Sequence, residues 1–168
     1  HLVDEFSSFA RMPSPTLKVI NINKVISDYV NPMMSSFDKV LIEIDDVLDN
    51  ALIMGDEKQI RQACGNLIKN SYENITSNNI ENARISIFFN IENNYASILV
   101  NDNGTGIDKS MISEITEPYF TTKVGGTGLG LAITKKIIDD HNGTILIKSL
   151  KASKGTSILL KFPLISKN

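Results

Sequence analysis

Six of the ten glycines in this 168-residue chain fall between Gly104 and Gly130, and that clustering limits where a core can be built. Glycine is concentrated where a backbone must take positive φ, move, or approach another group closely. The stretch therefore reads as loop, and the regular elements have to come from the residues before and after it. With 42% hydrophobic and 21% charged residues, the expectation is one soluble globular domain. A formal net charge of -2 provides no basic surface of the kind that nucleic acid or an anionic membrane needs, so contact with either is not expected. Cys64 is the sole cysteine, which excludes an internal disulfide. The apolar runs are shorter than the roughly 20 residues of a bilayer span, and no signal-peptide pattern opens the chain.

Residues 2–12 carry apolar side chains at helical spacing until Pro13 and Pro15 stop the helix, a pattern that fits a packed N-terminal arm or the end of a longer dimerising helix. A short strand is expected at 17–20 and a helix over 22–37, which Pro32 should kink or shorten. Two further strands, at 40–44 and 51–54, are joined by an acidic turn. Asp56 reads as an N-cap for the strongest helix, whose apolar stripe runs through Ile60, Cys64, Leu67, Ser71 and Ile75. Residues 84–91 and 95–101 form a predicted hairpin about Asn93-Asn94. A short helix near 109–114, an amphipathic helix over 129–141 ending at Asn142-Gly143, and strands at 144–150 and 156–162 complete the order. The Asn-rich run at 77–82 reads as a solvated loop.

Three places carry chemistry. Asn66 and Asn70 lie one helical turn apart beside the apolar stripe; they are either solvent-facing polar residues or neutral oxygen donors, and an amide oxygen suits a magnesium ion that keeps most of its ligands as water and phosphate. Asp102 ends a strand where a Gly-x-Gly turn begins. It is either an ordinary Asp-Asn-Gly turn or a fixed acceptor, and a carboxylate that only accepts suits the exocyclic amine of adenine and not the carbonyl of guanine. Gly126-Thr127-Gly128-Leu129-Gly130 runs into a helix, so free N–H groups and the positive end of the dipole converge where phosphate binds. This spacing is neither a P-loop nor a dinucleotide fingerprint. Between the glycine clusters, Tyr119-Phe120-Thr121-Thr122-Lys123 offers an apolar anchor and a cation for a mobile lid. His141, at a helix end, reads as structural, and Cys64 as a buried inert thiol.

Asn66-Leu67-Ile68-Lys69-Asn70, Asp102-x-Gly104-x-Gly106, Phe120-Thr121-Thr122-Lys123 and Gly126-Thr127-Gly128-Leu129-Gly130-Leu131 resemble, in order and spacing, the N, G1, F and G2 boxes of sensor histidine kinases. The resemblance covers roughly residues 16–165. The N-terminal arm and the Asn70-Ser71-Tyr72-Glu73 end of the N box are further similar to nitrogen-regulation sensor kinases of the NtrY type, with the NtrB type close behind.

The resemblance implies a Bergerat-type two-layer α/β sandwich, with a mixed, mainly antiparallel sheet and helices on one face. It implies residues 1–15 as the end of a dimerisation helix plus linker and 16–168 as the catalytic ATP-binding domain. The cofactors would be ATP and Mg2+. By position, Asn70 is similar to the metal ligand, Asp102 to the adenine acceptor, Asn66 to the second polar residue near the phosphates and Lys123 to the lid cation, with Lys69 as a further source of positive charge. Gly104, Gly106, Gly126, Gly128 and Gly130 match the mobile backbone, while Phe120, Thr122, Thr127 and Leu129 complete the matching boxes. The activity implied is transfer of the γ-phosphate to a histidine on the protein's own dimerisation domain, then to the receiver domain of a response regulator. The whole protein would be a homodimer anchored in the inner membrane, with this domain on the cytoplasmic side.

One departure bears on the site: Glu73 stands where many such kinases have Lys or His. His1 lacks the acidic neighbour and Asn-Pro context of a phosphoacceptor, and His141, before Asn142-Gly143 at a helix end, reads as structural, so these 168 residues are expected to bind ATP-Mg without phosphorylating themselves. Asn66 also occupies the place where ATP-hydrolysing and serine-kinase relatives of this fold carry a glutamate base, which disfavours those activities. A binding module that uses ATP only to order its lid is the other alternative.

Overall fold

The computed structural model describes residue 7 and residues 11–123, 125–150 and 155–165. Most of the expected N-terminal helix lies outside them. Of its described residues, Arg11 N–H donates to Ser7 O at 3.0 Å.

β1 (Lys18–Asn21) pairs antiparallel with β3 (Leu52–Gly55) in a two-stranded sheet. α1 (Ile22–Val30) follows at once, capped by the Asn21 side chain, which accepts from Lys24 N–H. Pro32 ends it as expected: it has no N–H for an α-helical bond, and the chain tightens into a 3₁₀ turn over Asn31–Ser36. β2 (Leu41–Ile44) and β3 form as the two strands expected on either side of the acidic turn, but the turn does not make them sheet neighbours. Instead β2 lies parallel to β4 (Arg84–Glu92), and β3 belongs to the small sheet. The larger sheet has the order β2-β4-β5-β7-β6, with β5 (Tyr95–Asp102), β6 (Thr144–Ser149) and β7 (Thr156–Pro163) antiparallel to their neighbours. The β4–β5 hairpin turns at Asn93 and Asn94, both at positive φ (51° and 63°), which asparagine tolerates better than most residues.

α2 (Glu57–Ser77) is the 21-residue spine of the molecule. Asp56 accepts from Lys58 N–H and Gln59 N–H, so the cap expected from sequence is formed. The stripe Ile60, Cys64, Leu67, Ser71 and Ile75 is buried along its length. It packs on one face of the larger sheet, where Ile85, Ile87, Ile98, Val100, Leu160 and Phe162 supply the core. The sheet's other face is more open, with Phe88 and Leu146 exposed. Complete burial pushes the Cys64 thiol up to about 12, which keeps it unreactive. α2 ends with Asn79 at φ 49°, its neighbour Ile80 N–H reaching back to Ile75 O; the Asn-rich run thus closes the helix before it becomes loop.

α3 (Gly130–Asp140) packs beside α2 and ends in the same way: Asn142 at φ 54° returns its N–H to Asp139 O, and Gly143 N–H reaches Ile138 O. His141 is buried between the two helices. Its Nε2 accepts from Asp56 N–H at 2.9 Å and its Nδ1 lies 2.7 Å from Ile137 O, so the ring is held with the proton on Nδ1. Among the described residues, no helix is long and apolar enough to cross a membrane.

Candidate functional site

A cavity of about 780 Å³ lies between α2, the N-terminal end of α3, the end of β5 and the glycine-rich loop. Its floor is Asp102. The strand delivers this carboxylate beneath α2, where it is only 7% exposed. Ser71 Oγ–H donates to Oδ2 at 2.9 Å, while Gly104 N–H (2.9 Å) and Thr156 N–H (3.2 Å) donate to Oδ1. Three donors fix the carboxylate, and Oδ2, with a single donor, keeps the greater accepting capacity. Thr156 can come this close because residue 155 is glycine: a Cβ there would lie 2.1 Å from Asp102 O, at a φ of +139°.

The helix wall is formed by Asn66, Lys69, Asn70 and Glu73. Asn66 Nδ2 donates to Gly130 O at 3.0 Å, with Thr134 Oγ1 at 3.5 Å, so this residue joins α2 to the first turn of α3. Asn70 Oδ1 faces the loop and accepts from Lys123 Nζ at 3.3 Å. The same ammonium lies 2.6 Å from Glu73 Oε2. Lys69, on the solvent side, is 3.9 Å from Glu73 Oε1.

Gly106, Phe120, Thr122, Lys123, Gly126, Thr127 and Gly128 line the loop side, and Gly130 lines the mouth of α3. α3 carries no side-chain cap, and its first turn, through Gly130, Leu131 and Ile133, lines the cavity at the positive end of the helix. Both ends of the loop are tied down. Asn74 Oδ1 accepts from Thr105 N–H and Oγ1–H at 3.0 and 3.1 Å; at the far end Tyr119 N–H donates to Gly128 O at 3.0 Å. Gly128 sits at φ 69°, and a Cβ there would lie 2.5 Å from Tyr119 C.

Two of the residues read from sequence do not line the cavity. Leu129 turns inward and is buried with Ala63, Ile133 and Ile137, where it anchors the start of α3. Gly104 lies under Asn74 and Asp102, with room for no Cβ: the nearest atom would be Asn74 Oδ1 at 2.4 Å. Ser71, Asn74, Gly155 and Thr156 were not singled out as site residues. A hydroxyl inside an otherwise apolar stripe was the available signal for Ser71, and a glycine before a threonine at a strand start for the pair 155–156.

A sequence profile of the family described as histidine kinase-, DNA gyrase B-, and HSP90-like ATPase matches residues 55–166. A putative sensor histidine kinase of NtrY-like type from Rickettsia conorii is 32% identical over 164 residues, which is 98% of this chain and 27% of that protein. The chain thus spans about a quarter of the length of such relatives. Among solved structures, the catalytic domain of the histidine kinase ThkA superposes with a TM-score of 0.73 at 28% identity, covering 88% of this chain and 95% of that one. Full-length ShkA, solved with AMPPNP, superposes with a TM-score of 0.78 at 20% identity over 99% of this chain and 36% of that chain, a likeness of fold.

Proposed function

The chain belongs to the histidine kinase-, DNA gyrase B-, and HSP90-like ATPase family, and from that premise we propose that it is the ATP-binding catalytic domain of a sensor histidine kinase. The observation that carries this reading is the pairing, in one cavity, of a triply held buried carboxylate with an uncapped helix N-terminus. Asp102 takes the adenine amine. The α3 N-terminus, with Gly126, Gly128 and Gly130, takes the phosphates. Phe120 anchors the lid, and Lys123 supplies its cation.

Asn70 is the metal residue in this reading. Its amide oxygen already accepts from a cation. Among the described residues no group of three His, Cys, Asp or Glu side chains forms a cage. A magnesium ion borne on nucleotide, with one or two protein ligands and retained waters, fits such a donor set. When bound, it would neutralise charge on the phosphates.

Phosphoryl transfer asks mainly for alignment and charge stabilisation. The acceptor would be a histidine of the protein's dimerisation domain: its ring nitrogen bonds to the γ-phosphorus as the bond to ADP breaks, and its proton leaves to solvent. Relay to a receiver domain follows in this reading, within a homodimer anchored in the inner membrane. Hydrolysis is disfavoured because residue 66 is an amide, which donates to Gly130 O, and not a carboxylate that could serve as a base at that turn of the helix.

Binding of ATP and GTP, each with and without Mg2+, tests the assignment. Asp102→Asn should lose adenine preference and Asn70→Ala metal dependence; wild-type behaviour from both would refute the site. Acid-labile phosphate on a separately supplied dimerisation domain would establish the transfer.

A further inference from the structure

Glu73 is an acid at the phosphate end of the cavity, where a triphosphate would meet it as a like charge. Such a contact is repulsive unless a cation stands between the two. The structure already places one there. Lys123 Nζ sits 2.6 Å from Glu73 Oε2 and 3.3 Å from Asn70 Oδ1. The two oxygens belong to residues three apart on α2, hence on one face, and they converge on a single positively charged atom.

We infer that Asn70 and Glu73 form one cation seat, which the Lys123 ammonium fills in this structure and the nucleotide's magnesium fills when ATP is bound. This rests on the ATP reading above and adds a second protein oxygen to the metal, directly or through one of the waters that magnesium keeps. The exchange couples metal to lid: an arriving ion displaces Lys123, which is then released to a phosphate oxygen. Lys69, at 3.9 Å from the other carboxylate oxygen, keeps Glu73 in a positive surrounding throughout.

The test is the Mn2+ affinity of the ADP-saturated protein, read from free Mn2+ by electron paramagnetic resonance. Glu73→Gln should weaken Mn2+ by about tenfold without weakening ADP binding in EDTA, and Glu73→Asp should recover part of the loss. Lys123→Gln, which removes the competing cation, should bind Mn2+ at least as tightly as wild type. Wild-type Mn2+ affinity in Glu73→Gln, or a loss in Lys123→Gln equal to it, overturns the shared seat. Asn70→Ala separates the two levels: if it weakens Mn2+ while Glu73→Gln does not, only Glu73 is misassigned, whereas no effect from either removes the metal site itself. Glu73 is at the surface, with its side chain 40% exposed, and unchanged circular dichroism of the variants excludes misfolding as the cause.

Discussion

Ser71 illustrates what one hydroxyl decides. It is the donor to Asp102 Oδ2, and both residues are buried. Ser71→Ala leaves that oxygen with no fixed partner and frees the carboxylate to rotate off its two backbone donors. The expected cost is about 1.5 kcal/mol, roughly tenfold in Kd for ATP, measured by calorimetric titration. An unchanged Kd would mean that Gly104 N–H and Thr156 N–H suffice. Asp102 and Asn70 could be read from sequence because each stands within a local pattern of glycines or helical spacing. Ser71 offered only its hydroxyl within an apolar stripe, and what that hydroxyl does is set where β5 is brought beneath α2. Asn66 shows the same limit. Its place on the helix was legible, while the partner that takes its amide, Gly130 O, lies 64 residues away.

At the level of elements, the two helices that wall the cavity are joined at their far ends through a residue pair outside it. Asp56 caps α2 with its side chain and donates its backbone N–H to His141 at the end of α3. Partial burial opposes charge on Asp56, and hydrogen bonds from Thr16, Gln59 and Lys58 N–H outweigh it, holding the carboxyl below its ordinary value. A carboxyl depressed in the folded state contributes stability above its unfolded pKa of about 3.9, and that contribution fades as pH falls through the folded value. Asp56→Ala should therefore cost about 1 kcal/mol in urea unfolding at pH 7. The gap to wild type should close in acid, below the folded pKa. A gap that persists undiminished there would assign the effect to something other than the ionised cap.

For the whole molecule, the order of elements was legible, and so was the pairing of strands adjacent in sequence, β4 with β5 and β6 with β7, but the partners of β1, β2 and β3 were not. Local patterns of β-branched and apolar residues mark a strand, yet they do not say which edge it joins. Leu41 pairs with Arg84, 43 residues on, because that register buries Ile42 beside Ile85; Ile20 pairs with Ile53 across α1 for the same reason. The fixing of the glycine-rich loop is likewise a property of the assembled chain, since its two tethers reach to α2 at one end and across the loop at the other.

That the sole thiol is sealed in the interior has a practical side. Wild-type protein should take up no maleimide dye in its folded state, so Ser113→Cys, exposed between the two tethers, would carry a single fluorophore with no background. Its emission should change when ATP and Mg2+ are added together and stay constant in Asn70→Ala under the same addition; a fluorophore that reports no difference between the two proteins would argue that the flap keeps still while the site fills.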